Sequence, residues 1–142
     1  MEILLAVDGS PNSLDAVTTF IKHLDWFREP PAVRLIYVHL PVPKVGGMGS
    51  VVSKESLEGY YREEGDQALA QARKLLEDAK VKFSAEVLVG QPAEMIVAKA
   101  DKEGCDLIYI GTRGLNAVSN VVLGSIATKV LHLAKTPVIL VK

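Results

Sequence analysis

The sequence predicts an α/β domain, an open parallel sheet of five strands with helices on both faces. Three observations predict it. The runs Ile3–Val7, Leu107–Ile110 and Pro137–Val141 are short and continuously apolar, and Val33–His39 is apolar and β-branched apart from Arg34 and His39, as in strands buried on both faces. Helical periodicities separate these runs, and strands alternating with helices call for a parallel sheet. Finally, 142 residues with 49% apolar and 23% charged side chains are the size and composition of one folded unit, so residues 1–142 are read as a single domain.

The first strand, Ile3–Val7, ends in Asp8-Gly9-Ser10-Pro11. Ser10 can cap the next helix and Pro11 suits its first turn, while Leu14, Val17, Phe20, Ile21 and Leu24 recur at helical spacing. Pro30-Pro31 ends that helix, and the β-branched run to His39 follows. Pro41–Val52 holds two prolines and three glycines and reads as a loop beyond the second strand. Leu57, Tyr61, Ala68, Ala72, Leu75, Leu76 and Ala79 then step by three or four through a long helix over 53–80. Phe83–Val89 is a third strand. Pro92 opens a helix that runs from Ala93 to Lys102 and that Gly104 stops, and Leu107–Ile110 is a fourth strand. A final helix over 124–134 leads into the fifth strand. Trp26 and Phe27 are expected to close the core under the first helix, since aromatic burial is the common outcome.

Sixteen Lys and Arg against seventeen Asp and Glu give a formal charge of −1. No general basic field exists to hold nucleic acid or anionic lipid, so any anion site must be local. No stretch approaches the roughly 18 apolar residues of a membrane span, which argues against membrane insertion. A single Cys105 excludes an internal disulfide, and with three His it disfavours a zinc site. A cytoplasmic protein is expected.

In a doubly wound sheet, ligands bind beyond the carboxyl ends of the strands where the order reverses. The loops after strands one and four are therefore the places to search. After strand four stands GTRGLNAVSNVVLGS, with Gly111, Gly114 and Gly124-Ser125 in a G-x2-G-x9-G-S spacing. Glycines let backbone amides approach a ligand or turn sharply. Gly124 and Ser125 stand where the last helix begins, and its unpaired amides and dipole favour an anion such as phosphate. Arg113 is the candidate cation. The same glycines could simply make turns with Ser125 as a cap; their convergence on one crevice loop favours phosphate. Asp8 could accept from ribose hydroxyls or orient hydrated magnesium, or it could instead form an Asx turn, and position alone leaves both open.

Other chemistries lack their residues. A P-loop needs Gly-Lys before its Ser or Thr, a dinucleotide fold needs G-x-G-x-x-G after strand one, and a nucleophile elbow needs G-x-S-x-G; none is present. His39 ends a strand and is read as lining the site or as structural rather than as an acid or base, and His23 and His132 as surface or boundary residues. Cys105 is read as a small buried hydrophobe. A terminal strand at a sheet edge would offer free backbone groups to a second copy.

Val7-Asp8-Gly9-Ser10 after the first strand, Val38-His39 after the second, the glycine spacing and Thr136-Pro137-Val138 together resemble the nucleotide-binding branch of the universal stress protein family. The resemblance spans essentially the whole chain. It implies a Rossmann-like, adenine nucleotide alpha hydrolase-like sheet of order 3-2-1-4-5 that binds an adenine nucleotide; ATP is the expected ligand, with magnesium as an accompanying ion at Asp8 through water. Carried over by position, the nucleotide would meet Ala6, Val7 and Asp8 at its ribose or adenine side and the Val38 backbone at its adenine edge. Gly111, Thr112, Arg113, Gly114, Gly124, Ser125 and Ile126 would surround the ribose and phosphates. The resemblance further implies a homodimer through Val138–Val141. The expected role is a nucleotide-dependent stress-response or signalling module with a downstream protein partner, meeting it around Pro41–Val52 and Leu115–Leu123, and with little or no hydrolysis. The alternatives are a slow magnesium-dependent ATPase, a ligand-free dimeric interaction protein, and cyclic AMP as the ligand.

Overall fold

A computed structural model describes residues 1–43, 53–113 and 123–142. In chain order these form β1 (Glu2–Val7), α1 (Pro11–Lys22), a one-turn 3-10 helix (Leu24–Trp26), β2 (Ala32–His39), α2 (Lys54–Asp78), β3 (Phe83–Val89), α3 (Pro92–Lys102), β4 (Leu107–Gly111), α4 (Ser125–Leu133) and β5 (Val138–Val141). All strand pairs are parallel, and the sheet has the order β3-β2-β1-β4-β5. Both the alternation of elements and the strand order are as expected, with boundaries moved by a residue or two.

The pleat of β1 explains why its run is apolar throughout. Ile3, Leu5 and Val7 face one core with Ala16, Val17 and Phe20 of α1 and Leu69, Ala72 and Leu76 of α2. Leu4 and Ala6 face the other, with Ala93, Ile96 and Ala100 of α3 and Val130 of α4. Successive side chains of a strand point to opposite faces, so a central strand covered on both sides can spare no polar position.

The strands end at different heights, and this stagger creates the site. β1 pairs with β2 only as far as Val7 opposite Tyr37, and with β4 only to Ala6 opposite Ile110. β2 continues along β3 to His39 opposite Val89, and β4 continues along β5 to Gly111 opposite Val141. The central strand thus stops first. A notch opens above it between its longer neighbours, at the point where the strand order reverses.

Two expectations are corrected. The buried stripe of α2 is Gly65, Leu69, Ala72 and Leu76, whereas Leu57, Tyr61, Ala68, Leu75 and Ala79 are only half-buried. Gly65 sits in the stripe because α2 lies directly on β3 there; a Cβ at that position would fall 2.2 Å from Val87 Cγ2. Apolar spacing could not reveal a glycine as a core residue. Trp26 is not in the core. It is 70% exposed and stacks on the His23 ring, with centroids 3.5 Å apart, because the 3-10 turn carries it past the end of α1. Phe27 does pack against the core, and Cys105 is buried. The loop assigned to Pro41–Val52 falls outside the described residues from position 44 onward, and Leu115–Leu123 does so up to position 122. Among the described residues, no helix is long and apolar enough to cross a membrane.

Candidate functional site

A cavity of about 440 Å³ fills the notch, within the range of small-molecule sites. Its lining changes character along the strand order β2-β1-β4. Beside β2 it is apolar, formed by Ile36 and Val38 with Ala6, Ile96 and Ile110 from the core beneath α3. Over the end of β1 it is polar, with Asp8, Ser13 and Tyr37. Beyond β4 it meets Gly111, Thr112, Arg113 and the first turn of α4. A shallower depression of about 490 Å³ along α2 is lined by one helix alone, from Gly59 to Ala70, and gathers no groups from other elements.

Ala6, Val7, Asp8, Val38, Gly111, Thr112, Arg113, Gly124, Ser125 and Ile126 all line this one cavity. Gly114 lies outside the described residues. Sequence reasoning missed Ser13, Ile36, Tyr37, Leu40, Pro92, Ile96, Ile110 and Ala127 as lining residues. Of these, Tyr37 carried a usable signal: it is one residue from Val38 on the strand whose end borders the notch.

The first turns of α1, α3 and α4 all reach this cavity, and the chemistry of the α1 and α4 termini differs. At α1 the cap is closed by the chain itself. The Ser13 amide donates to Ser10 Oγ (3.2 Å), and the Ser13 hydroxyl donates to the Ser10 carbonyl (2.9 Å). At α4 the N-cap is Gly124, which has no side chain to offer, and its amide is taken by the Thr112 carbonyl. The first intrahelical bond runs from the Thr128 amide to the Gly124 carbonyl (3.0 Å). The amides of Ser125, Ile126 and Ala127 precede it, have no intrahelical acceptor, and belong to residues that line the cavity. Ser125 is therefore the first helical residue rather than the cap.

The glycines serve a purpose other than the one sequence suggested. Neither Gly111 nor Gly124 has positive φ. A Cβ on Gly111 would lie 2.9 Å from the Asn12 carbonyl oxygen, so its absence lets the first turn of α1 close over the end of β4. A Cβ on Gly124 would lie 3.1 Å from the Thr112 carbonyl, which the Gly124 amide must reach to bring α4 back to the notch. The glycines shape the backbone that forms the cavity wall.

Asp8 does form the turn. Its Oδ1 accepts from the Ser10 amide (2.9 Å), and its own amide donates to Ser13 Oγ (3.2 Å). Its Oδ2 makes no hydrogen bond among the described residues, so the turn uses one carboxylate oxygen. Burial pushes the Tyr37 phenol above its ordinary value, and the charges of Glu64 and Asp8 push it further, so Tyr37 stays a neutral donor near neutral pH. Thr112 is 5% exposed, and its hydroxyl has no hydrogen bond among the described residues. His39 Nδ1 lies 2.6 Å from the Leu40 carbonyl, which can only accept, so the proton is on Nδ1. Tyr37, Tyr60 and Tyr61 pack edge-on around that ring, and Tyr61 Oη accepts from the Val42 amide (2.8 Å). Among the described residues, no three His, Cys, Asp or Glu side chains converge as metal ligands.

The profile of the Universal stress protein family matches residues 1–142. The chain belongs to that family. Universal stress protein MJ0531 of Methanocaldococcus jannaschii is 36% identical over 141 residues, covering 99% of this chain and 81% of that one. Among solved structures, hypothetical protein MJ0577 superposes with a TM-score of 0.81 at 27% identity, covering 99% of this chain and 94% of that chain. A universal stress protein solved in complex with cAMP superposes with a TM-score of 0.73 at 21% identity, covering 100% of this chain and 97% of that chain. The second of these structures supports the fold of this chain and no more.

Proposed function

We propose that this universal stress protein binds an adenine nucleotide, ATP foremost, in the notch above β1. The open N-terminus of α4 carries this reading: three amides without intrahelical acceptors line a cavity beside Arg113 and Thr112. Such a terminus favours an anion through its amides and the helix dipole together. The strand order orients the ligand. Phosphates take the α4 end, the ribose lies over β1 within reach of Asp8 and Tyr37, and the base enters the apolar slot of Ile36, Val38, Ile96 and Ile110, its edge against the Val38 backbone. Among the described residues Asp8 is the one carboxylate lining the cavity, which suits magnesium held through water and shared with the phosphates rather than a protein-built metal cage.

Hydrolysis is slow in this reading. The imidazole at the cavity has its Nδ1 hydrogen bonded to a carbonyl and its ring set among three tyrosines, away from the α4 end. The protein then acts as a nucleotide-dependent stress-response or signalling module in the cytoplasm. β5 lies at the sheet edge, where Val138–Val141 offers a free backbone edge to the same strand of a second copy and forms a homodimer that meets a downstream protein partner. A cyclic nucleotide would fill the same cavity, as the cAMP complex of a related fold suggests, but it lacks a free 3′-hydroxyl to donate to Asp8.

Titration calorimetry with ATP, AMP and cyclic AMP tests the reading. Binding of ATP in the micromolar range, lost in a folded Gly124→Val variant whose side chain crowds the Thr112 carbonyl, is the expected result. Absence of heat with all three nucleotides would overturn it and favour a ligand-free interaction protein.

A further inference from the structure

At the end of α1 away from the cavity, three ring side chains touch in series, and the nucleotide site uses none of them. His23 caps the C-terminus of α1, and the 3-10 turn after it lays Trp26 on the imidazole, with centroids 3.5 Å apart and planes 13° from parallel. The indole is 70% exposed, and Trp26 is the one tryptophan of the chain. The same imidazole reaches Tyr109, which stands in β4 opposite Leu5 of β1 and Ile139 of β5 and is fully buried. Tyr109 Oη lies 3.1 Å from His23 Nδ1, and neither side chain makes another hydrogen bond among the described residues. The phenol therefore donates and Nδ1 accepts, the arrangement that gives the buried hydroxyl hydrogen an acceptor. A surface indole is thus joined to a buried phenol through one imidazole.

We propose that Trp26, His23 and Tyr109 form a one-electron relay that draws oxidising equivalents from the protein surface into the core. A diffusible one-electron oxidant, of the class of carbonate or peroxyl radicals, removes an electron from the exposed Trp26 indole. The indole radical cation then takes an electron from Tyr109 as the phenolic proton passes to His23 Nδ1. This step leaves a neutral indole, a neutral Tyr109 phenoxyl radical and a His23 imidazolium, so the single positive charge is conserved. Proton transfer decides the direction. A phenol oxidised with its proton in place would be a cation in an apolar core, which burial penalises heavily. Burial also pushes the Tyr109 phenol above its ordinary value, so it gives up its proton only to a base in contact with it. Among the described residues, His23 is that base. The imidazolium then rests on the face of the restored indole, where the ring attracts a cation. Burial keeps the phenoxyl radical away from solutes, and a thiol or ascorbate returns the electron through Trp26 while His23 returns the proton. None of these steps involves the nucleotide.

The test is oxidation of the full chain by photogenerated tris(bipyridine)ruthenium(III), followed by transient absorption and electron paramagnetic resonance, which distinguish indole from phenoxyl radicals. In the wild type the Trp26 radical should decay as a phenoxyl radical appears, and more slowly in heavy water than in ordinary water. Tyr109→Phe should lose that phenoxyl radical and prolong the Trp26 radical. His23→Leu should do the same although Tyr109 is still present. The heavy-water comparison uses the wild type and is independent of how either variant folds. A Trp26 radical that decays equally fast in the wild type and in both folded variants would overturn the proposal, and so would a decay indifferent to heavy water. A phenoxyl yield unchanged in Tyr109→Phe would place the radical on another tyrosine and overturn it as well.

Discussion

Replacing Thr112 with valine should weaken nucleotide binding while leaving the fold about as stable as before. The side chain is 5% exposed, and its backbone is held at both ends, by the Val141 carbonyl at 2.9 Å and by the Gly124 amide. Its hydroxyl makes no hydrogen bond to the described residues and belongs to a residue that lines the cavity, so valine, which has the same shape, removes no bond to them. The change in stability should stay within about 1 kcal/mol. With nucleotide bound, the hydroxyl donates to a charged phosphate oxygen. Losing such a bond costs about 1.5 kcal/mol, or roughly ten-fold in Kd. A loss of affinity without a matching loss of stability separates a ligand group from a packing group. Urea unfolding of the free protein and calorimetry with ATP on the same preparations measure both. A Thr112→Val protein that lost more than about 1 kcal/mol of stability and bound ATP unchanged would refute the reasoning, because the hydroxyl would then be serving the fold.

Three further outcomes follow from the packing and the charges. Gly65→Ala should destabilise by about 1–3 kcal/mol through overlap with Val87, despite the better helix propensity of alanine, and Val87→Ala should rescue much of it in the double variant; urea midpoints read the coupling. Trp26→Ala should stay within about 0.5 kcal/mol of wild type because the ring is at the surface, whereas Phe20→Ala, in the core, should cost about 3–5 kcal/mol. Finally, the Lys129 ammonium, through a side-chain hydrogen bond, holds the Glu94 carboxyl below its ordinary range and ties α3 to α4. A lowered folded-state value means the contribution is present above the ordinary carboxylate range and is lost as pH falls through the lowered value. Glu94→Gln should therefore flatten the acid limb of a melting-temperature profile between pH 7 and 3, by a small amount because both partners are exposed. An unchanged acid limb would remove that pair from the account.

The position of the cavity was legible in the sequence, but several of its physical reasons were not. The glycine spacing singled out the loop after β4, and the cavity gathers Gly111, Thr112, Arg113, Gly124 and Ser125 together with Ala6, Val7, Asp8 and Val38 from strands far away in the chain. Yet Gly111 is needed for the Asn12 carbonyl and Gly124 for the Thr112 carbonyl, contacts between segments that no local pattern announces. Tyr37 and Ser13 were passed over because a strand tyrosine and a helix serine look like ordinary core and cap residues. Asp8, for which sequence left a turn and a ligand role equally open, forms the turn through one carboxylate oxygen.

By itself, the sequence determined the succession of elements. Runs of apolar residues long enough for a strand, helical spacing between them, and prolines, glycines and a serine cap at the junctions are local properties of the chain. They also fix the parallel sheet, because strands that alternate with helices have no shorter way to return. What only the tertiary structure decided is the stagger of strand ends, the approach of α2 to β3 at Gly65, and the difference between a self-capped α1 and an open α4. Each depends on how far two distant backbones can approach. That distance is set by side-chain volumes and hydrogen bonds across the fold, not by any residue's neighbours in the chain.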